Sequence, residues 1–266
     1  MTDEQKKARR ISVISGKGGV GKSVITANLA AALSSAGRQI LVFDADLGLA
    51  NLDVILGIAP QFTIYDALHG NRRLDEVLIS TTKGFDFIPA GSGLPEGTMF
   101  TQALAANIES FIASLENRYD AILFDAGAGI GDVVLFFANM ADEILLVVTP
   151  EPTSLMDAYA TIKILHQLYG KSEFLLVVNQ ANPDHINQVG ASIARHLQNV
   201  ISRYLESDNS KPVRVHLVGS IPIDPVVPHA VKQRQLLAET YPEAPSTCRL
   251  NHLAGLLDTR ISIQMH

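Results

Sequence analysis

The residues with the clearest chemical meaning lie near the start of the chain, in the stretch 16–23, Gly-Lys-Gly-Gly-Val-Gly-Lys-Ser. This stretch has the G-x-x-x-x-G-K-[ST] spacing of a phosphate-binding loop. The apolar, β-branched residues 11–15 before it predict a strand, and residues 22–36 after it predict a helix with Ile25 and Leu29 on one face. A strand, a glycine loop and a helix together aim backbone N–H groups and the positive end of a helix dipole at a phosphate. The sequence therefore predicts a nucleotide site in this loop.

Each residue type in the loop has a physical role. Glycines permit backbone angles that are closed to other residues, and they let the backbone approach an anion closely. Lys22 is expected to place its ammonium group between the β- and γ-phosphates. Ser23 is expected to offer its hydroxyl to Mg²⁺, which usually takes few protein ligands and completes its shell with substrate oxygens. The residues predicted to hold the phosphates are Gly18, Gly19, Val20, Gly21, Lys22 and Ser23.

Lys17 is a second lysine at the start of the loop. Because the loop curls away from it, this lysine cannot easily reach the phosphates that Lys22 contacts. Two interpretations stay open: Lys17 reaches a nucleotide held by another subunit, or it is a solvated surface lysine. The spacing alone does not separate them.

Residues 17–23 resemble the deviant Walker A motif of the MinD/ParA ATPases. In that family the first lysine crosses a dimer interface to the partner's ATP. The resemblance continues in Asp-Ala-Asp-Leu-Gly-Leu-Ala-Asn-Leu-Asp at 44–53, Asp-Ala-Gly-Ala-Gly-Ile at 125–130 and Thr-Pro-Glu-Pro-Thr-Ser at 149–154, and it covers roughly residues 10–240. It is strongest to the FlhG/FleN/YlxH branch, which regulates the number and placement of flagella. The resemblance implies Mg²⁺-dependent hydrolysis of ATP and an ATP-dependent homodimer.

Three aspartates follow apolar runs, at the strand ends where α/β sheets place their ligands. The run 40–43 predicts a buried strand that ends before Asp44 and Asp46. The run 119–124 predicts another strand, terminated by Asp125, which is the arrangement that supplies a carboxylate to Mg²⁺. The resemblance assigns Asp46 to the attacking water and Asp44 to the magnesium shell. Capping of a helix or turn by one of them is the structural alternative.

Residues farther along the chain are predicted to hold the rest of the nucleotide. Asn179 ends a strand predicted over 174–178, and its amide can pair with both a donor and an acceptor on an adenine edge. By resemblance, Glu151 lies at the dimer interface near the partner's nucleotide, although an ordinary first-turn acid favoured by the helix dipole is an equal alternative. By resemblance, the segment after the last predicted strand packs beside the purine, through Pro222, Ile223 and Asp224.

Composition and element order favour one large domain. The chain has 266 residues, 47% of them apolar and 18% charged, which is enough to bury a substantial core. Predicted strands alternate with helices, without repeats or a clear linker. This pattern favours an α/β fold of P-loop NTPase type, with a doubly wound, mostly parallel β-sheet flanked by helices. We expect an N-terminal arm over 1–10 and a single ATPase domain over 11–266.

Charge, cysteine content and hydropathy exclude several functional classes. The net charge of −6 argues against broad nucleic-acid binding. Cys248 is the only cysteine, so an intramolecular disulfide or a thiolate metal cluster is excluded. The polar start lacks the apolar core of a signal peptide, and no apolar run is long enough for a transmembrane helix. A cytoplasmic protein is expected.

Glycines and prolines set the predicted loops and boundaries. Glycines at 127–131 predict a loop that can rearrange. The resemblance implies that this segment senses the γ-phosphate, and a loop that merely turns the chain is the alternative. The glycines at 90–93 fit either a plain turn or a close approach to a ligand. Pro228 predicts a late start for the helix over 226–237, and the last helix is predicted over 247–257.

The last predicted helix raises the question of membrane contact. It carries an apolar stripe that consists of Leu250, Leu253, Leu256 and Leu257. A membrane-surface helix is richer in Lys and Arg on its polar face than this segment, so packing on the protein body is the simpler prediction. Peripheral contact with the inner face of the cell membrane is the alternative.

These observations lead to two functional hypotheses. The first is an ATP-dependent dimerising switch ATPase that regulates flagellar number or placement. The second is a nucleotide-gated antiactivator that binds a transcription activator or a flagellar SRP-type GTPase, with incidental hydrolysis. MinD-type division-site placement and ParA-type partition stay open within the family. The arm at 3–10 departs from the Asp-Gln-Ala…Leu-Arg element by which members of the flagellar branch stimulate a GTPase.

Overall fold

A mostly parallel β-sheet with helices on both faces organises the chain. The structure is a computed structural model that describes residues 7–48, 51–68, 71–90, 100–205 and 211–263. The first six residues of the predicted arm and the glycines of the predicted 90–93 loop lie outside these ranges.

The strands of the described residues pair into one sheet. In chain order they are β1 (Arg9–Ser15), β2 (Ile40–Ala45), β3 (Ile79–Ser80), β4 (Asp86–Ile88), β5 (Ala121–Ala128), β6 (Glu143–Val148), β7 (Glu173–Ala181) and β8 (Arg214–Pro222). The spatial order is β3-β4-β2-β5-β1-β6-β7-β8. Neighbouring strands run parallel, and only the β3–β4 pair among those described is antiparallel. The predicted fold class is confirmed.

Helices connect the strands and cover the sheet. They are α1 (Lys22–Ser35), α2 (Leu52–Leu56), α3 (Ile64–Leu68), α4 (Leu74–Val77), α5 (Gln102–Leu115), α6 (Asp132–Met140), α7 (Pro152–Tyr169), α8 (Ile186–Tyr204), α9 (Val226–Gln233), α10 (Leu237–Thr240) and α11 (Pro245–Ile263). Short 3₁₀ turns at Glu116–Arg118 and Pro183–His185 precede β5 and α8.

The central strands are apolar on both faces because both faces are covered. Phe43 and Phe124 pack into the core shared with α5, α6, α7 and α8. Val42 and Leu123, one residue earlier on the same strands, pack into the core shared with α1, α2, α10 and α11. This alternation follows from the two-residue period of a strand, and it holds the carboxyl ends of β1, β2 and β5 rigidly side by side.

The predicted loop at 127–131 was partly wrong. β5 continues past Asp125 to Ala128, because β1 and β2 pair with it there, with Asp44 opposite Asp125 and Ser15 opposite Ala128. The glycine loop therefore begins two residues later than predicted. The prediction also missed α6, an apolar helix that starts directly after Gly131.

Two helices start earlier than the proline rules predicted. Pro228 lies in the first turn of α9, and Pro245 is the first residue of α11. Backbone N–H groups in a first turn have no intrahelical partner, so proline does not disturb the helix at these positions. β1 likewise starts at Arg9, inside the predicted arm, because the Arg9 N–H donates to the Asp120 carbonyl over 2.9 Å.

The final helix packs on the body, as the simpler prediction stated. Leu250, Leu253 and Leu257 are buried in the core beside α1, whereas Leu256 is 40% exposed. Polar contacts add to this packing, since Arg38 pairs with Asp258 over 2.5 Å and Arg260 pairs with Glu143 over 2.5 Å. Among the described helices, none combines the length and the apolar content that crossing a membrane requires.

Candidate nucleotide-binding site

The glycine loop turns from β1 into α1 at the carboxyl edge of the sheet, as predicted. Gly21 has a φ of 95°, in the left-handed region that favours glycine, and it ends the loop immediately before α1. A Cβ atom on Gly21 would lie 2.4 Å from Nδ2 of Asn179. A Cβ atom on Gly16 would lie 2.5 Å from the backbone of Asp157 in α7. The loop is therefore packed between β7 and α7, and glycine is required at both of its ends.

Lys22 is buried at the base of the loop. Its ammonium group donates to Oγ of Ser15 over 2.9 Å, and that hydroxyl in turn donates to the Lys17 carbonyl over 2.6 Å. Burial lowers the pKa of Lys22, while the negative charges of Asp125 and Asp46 oppose this shift. The lysine is thus already held at the loop and partly desolvated, as a ligand for phosphate oxygens should be.

Asp125 is buried on β5 beside the start of α1. Its Oδ1 accepts the hydroxyl of Thr26 over 3.0 Å, and the Ser23 hydroxyl also bonds to this carboxylate. Burial raises the pKa of Asp125 to about 6, although the bonds from Ser23 and Thr26 and the charge of Lys22 act in the opposite direction. The structure therefore brings Ser23 and Asp125, two predicted magnesium ligands, into direct contact.

Asp44 lies on β2, directly opposite Asp125 in the strand register. One of its oxygens, Oδ1, accepts the Asp46 N–H over 3.1 Å, and the carboxylate also accepts the N–H of Leu52, the first residue of α2. Burial, followed by the charge of Asp125, raises the pKa of Asp44 well above its usual value. Asp44 therefore caps the start of α2 through its carboxylate, which is the structural alternative that the sequence left open.

The second oxygen of Asp44 gives a test of the metal prediction. Oδ2 is buried and has no hydrogen-bond partner. A buried, unpartnered carboxylate oxygen is costly unless something occupies the space beside it. The described residues offer no cluster of three or more His, Cys, Asp and Glu side chains for a metal. Two carboxylates and the Ser23 hydroxyl are all oxygen donors, however, and they fit Mg²⁺, which takes its remaining ligands from phosphates and water.

A cavity of about 580 Å³ lies over the loop. Loop residues form its floor, and Asp46 lines it together with Gly127 and Asn51. A Cβ atom on Gly127 would lie 3.4 Å from the Asp46 carboxylate, so glycine in β5 leaves room for that side chain. The structure places Asp46 beside the phosphate loop, and its role toward the attacking water stays a prediction.

A second cavity of about 890 Å³ adjoins the first and shares Gly19 and Gly21 with it. The predicted base-side residues line this cavity together: Asn179, Pro222, Ile223 and Asp224. The Asn179 amide nitrogen donates to the Val20 carbonyl over 2.7 Å. Sequence analysis missed Gln180, which lines the same cavity and has a φ of 56°.

The side chain of Asp224 has a structural role that the sequence did not indicate. Its Oδ1 accepts the Val226 N–H over 3.1 Å, and its Oδ2 accepts the Ser246 N–H over 3.2 Å. Asp224 therefore caps the starts of α9 and α11 at once. Each of its carboxylate oxygens therefore accepts one backbone N–H within the protein, and its predicted contact with a purine stays a prediction.

Lys17 lies on the outer side of the loop, away from Lys22. Its ammonium group pairs with Oε2 of Glu151 over 2.5 Å and donates to the Thr153 hydroxyl over 3.3 Å. The Lys17 and Glu151 side chains are 40% and 58% exposed. The structure thus joins two predicted interface residues within one subunit, at the start of α7.

Two further polar residues of the site were missed by sequence reasoning. Ser15 holds Lys22 in place, and Thr26 holds Asp125. Each had a weak signal, since Ser15 ends an apolar strand and Thr26 is a polar residue on the inner face of α1. Neither lies inside the loop pattern itself.

A glycine loop between the first strand and first helix of a parallel sheet, with carboxylates at two neighbouring strand ends, defines a P-loop nucleotide-binding protein. The family model described as ParA, NUBPL iron-transfer P-loop NTPase, matches residues 6–257. The chain belongs to this ParA/MinD family of P-loop NTPases, and the resemblance drawn from residues 17–23 is confirmed.

Two relatives and one solved structure align with more than nine-tenths of this chain. The antiactivator FleN of Pseudomonas aeruginosa is 36% identical over 249 residues, which is 94% of this chain and 86% of FleN. The flagellum site-determining protein YlxH of Helicobacter pylori is 34% identical over 262 residues, 97% of this chain and 85% of YlxH. The septum site-determining protein MinD of Pyrococcus horikoshii, solved with Mg-ADP, has a TM-score of 0.72 at 25% identity and covers 97% of this chain and 98% of its own.

Proposed function

We propose that this chain is a Mg²⁺-dependent ATPase that works as a dimerising switch in the control of flagellar number or placement. The observation that carries the proposal is the separation of the two loop lysines. Lys22 is buried beside Ser23 and near Asp125, whereas Lys17 faces outward at the surface. One lysine therefore serves the nucleotide of its own subunit, and the other serves the nucleotide of a second copy.

In this proposal the chemistry is displacement at the γ-phosphorus of ATP by water, which yields ADP and inorganic phosphate. Lys22 and the partner subunit's copy of the outer lysine stabilise the charge that develops on the phosphoryl oxygens. Asp46 orients the water from its position over Gly127. Mg²⁺ neutralises phosphate charge when bound, and Ser23, Asp125 and the free oxygen of Asp44 would hold it.

The dimer is the switch. With ATP present, each γ-phosphate attracts the outer lysine of the opposite subunit, and hydrolysis removes that attraction. In the single subunit Lys17 pairs with Glu151, so the Lys17–Glu151 ion pair can form again when the dimer dissociates. The glycine loop between β5 and α6 begins beside this site, because the Gly129 N–H donates to the Ser15 carbonyl over 2.9 Å.

The biological output is proposed from the relatives. FleN is named an antiactivator and YlxH a flagellum site-determining protein, and both align over more than nine-tenths of this chain. We propose a protein partner in flagellar regulation, of transcription-activator or GTPase type, which the ATP dimer occupies.

Sedimentation velocity tests the dimer. Wild type is expected to dimerise with ATP and Mg²⁺, and Asp46→Ala is expected to stay dimeric because hydrolysis stops. Lys17→Ala is expected to remain monomeric under the same conditions. Lys163→Ala, which removes an exposed lysine from α7, is the matched control and should behave as wild type. Equal dimerisation by the Lys17→Ala variant would remove the basis of the proposal.

Flagellar counts separate the two hypotheses about the output. Cells that carry only the Asp46→Ala variant hold the ATP dimer without turnover. If their flagellar number and position are normal, the protein acts as a nucleotide-gated binder and hydrolysis is incidental. If the pattern is disturbed while the trapped dimer still captures its partner, cycling is required.

A further inference from the structure

Ser15, the last residue of β1, joins several parts of the nucleotide site. Its side chain is fully buried where the strand turns into the glycine loop. Its hydroxyl accepts from the Lys22 ammonium over 2.9 Å and donates to the Lys17 carbonyl over 2.6 Å. Its backbone carbonyl accepts the Gly129 N–H over 2.9 Å, in the loop between β5 and α6. Ser15 therefore contacts both loop lysines and the second glycine loop.

The two hydrogen bonds fix the direction in which the Ser15 hydroxyl works. A serine hydroxyl has one hydrogen to donate and lone pairs that accept. A carbonyl oxygen only accepts, so the Ser15 hydrogen is committed to the Lys17 carbonyl. Toward Lys22 the hydroxyl can therefore only accept. An ammonium group requires such a partner, because it carries N–H donors and no acceptor.

The contact with Ser15 leaves Lys22 with donors for a ligand. Among the described residues, the Ser15 hydroxyl is the only hydrogen-bond partner of this buried ammonium. A lysine side chain is flexible, and an ordered end removes much of its freedom. With one N–H held at the end of β1, the other two remain for oxygens in the cavity over the loop, which Lys22 lines.

The bond to the Lys17 carbonyl acts on the outer lysine. Glu151 holds the Lys17 ammonium at the surface, whereas Ser15 holds the Lys17 backbone. The Ser15 hydroxyl thereby fixes the point from which the outer lysine leaves the loop.

Ser12 provides a contrast on the same strand. It is also fully buried on β1, but its hydroxyl has no hydrogen-bond partner in the part of the chain that the structure describes. A buried serine on this strand therefore does not acquire such contacts by its position in the core alone.

We propose that Ser15 is a positioning residue that sets both loop lysines at once. Its hydroxyl orients the Lys22 ammonium so that the two remaining N–H groups meet β- and γ-phosphate oxygens. Through the Lys17 carbonyl, it also fixes the backbone that carries the outer lysine toward the nucleotide of a second subunit. Ser15 acts through the two lysines and forms no bond to the nucleotide.

This inference rests on the proposed function, since it takes the ligand of the loop to be an adenine nucleotide. Isothermal titration calorimetry with the full chain and Mg²⁺ compares ADP with AMP, which lacks the β-phosphate. Ser15→Ala is expected to weaken ADP binding by about 10- to 150-fold, the factor for a hydrogen bond to a charged group, and to leave AMP binding unchanged. Unchanged ADP binding, or an equal loss for both nucleotides, would overturn the inference.

Further variants separate the hydroxyl from the space that it fills. Threonine and valine have nearly the same volume, and only threonine carries a hydroxyl. Ser15→Thr is expected to bind ADP much as wild type does, whereas Ser15→Val should show the loss seen in Ser15→Ala. Ser12→Ala, which removes the buried hydroxyl without a partner, is the matched control and should bind ADP normally. Equal affinities of the Ser15→Thr and Ser15→Val variants would contradict a role of the hydroxyl.

A double-mutant cycle shows whether Ser15 acts through Lys22. Lys22→Met removes the ammonium and keeps a long side chain. In that background, Ser15→Ala should cause no further loss of ADP affinity, because the group that it positions is already absent. A full additional loss there would refute the proposed route through the lysine.

The outer lysine has a separate readout. Sedimentation equilibrium measures the dimer at a saturating concentration of AMP-PNP, a hydrolysis-resistant ATP analogue, with Mg²⁺. The Ser15→Ala dimer is expected to dissociate about 2-fold more readily or more, whereas Ser12→Ala should match wild type. A Ser15→Ala dimer as tight as that of wild type would mean that the Lys17 carbonyl contact does not position the outer lysine.

The failures of the two proposals can be told apart. If wild type binds neither ADP nor ATP, or does not dimerise with AMP-PNP, the proposed function fails. If wild type binds ADP and dimerises while Ser15→Ala does both equally well, only the assignment of Ser15 fails.

Discussion

Replacing Asp125 with asparagine is expected to stabilise the metal-free protein at neutral and higher pH, while it removes magnesium binding. Asp125 is 2% exposed, and burial raises its pKa from 3.8 to about 6. The folded protein therefore holds a proton on this carboxyl over a range where the unfolded chain has lost it. A raised pKa means that stability is highest below 3.8 and is lost as the pH rises through about 6.

The size of the effect follows from the shift. A rise from 3.8 to about 6 corresponds to about 3 kcal/mol once the group is fully ionised in both states. At pH 5, where the folded carboxyl is still mostly protonated, the same linkage gives about 1.6 kcal/mol. The uncharged amide of the Asp125→Asn variant avoids this cost at every pH. The advantage of the variant should therefore grow by about 1.4 kcal/mol between pH 5 and pH 8.

Urea unfolding in EDTA at several pH values measures the difference in unfolding free energy between the Asp125→Asn variant and wild type. Asp184→Asn, which removes an exposed carboxylate from the same chain, is the matched control for net charge. With Mg²⁺ and ADP added, the order should reverse, because ligand binding stabilises wild type and the variant cannot hold the metal. A variant that is no more stable than wild type at pH 8 in EDTA, or a difference that does not change with pH, would refute the reasoning.

Three further predictions follow from single contacts. Glu151→Gln releases Lys17 from an exposed ion pair, so the ATP dimer should tighten by about 1.4- to 5-fold at low salt, as measured by sedimentation equilibrium. A weaker dimer would mean that the Glu151 carboxylate itself contributes across the interface. Gly21→Ala places an alanine in the left-handed region with its Cβ against the Asn179 amide, so calorimetry should show ADP affinity reduced by about tenfold or more. Gly131→Ala, which has open space around it, should bind ADP normally. Leu253→Ala, in the buried stripe of α11, should lower the free energy of unfolding by about 2–5 kcal/mol, and Leu256→Ala by far less; equal losses would contradict the packing of this helix on the body.

Local patterns predicted most of the fold and the phosphate end of the site. The strands β2, β5, β6 and β7 are apolar runs that a buried parallel sheet requires, and the glycine loop is defined by spacing alone. The predictions failed where pairing or packing with another element decides the local structure. β5 continues past Asp125 because two strands pair with it, and α6 was overlooked because it follows directly after glycines.

The sequence by itself determined that a phosphate-binding loop, two lysines and strand-terminal aspartates exist, because each depends only on residues close together in the chain. Only the tertiary structure decided how these groups meet. Strand order sets Asp44 opposite Asp125, the packing of α7 brings Glu151 to Lys17, and the Val20 carbonyl orients the amide of Asn179. These contacts join residues that are far apart in sequence, and crossover connections place them on neighbouring elements. Their geometry follows from the strand order and register of the sheet. Local sequence patterns do not encode that order or register.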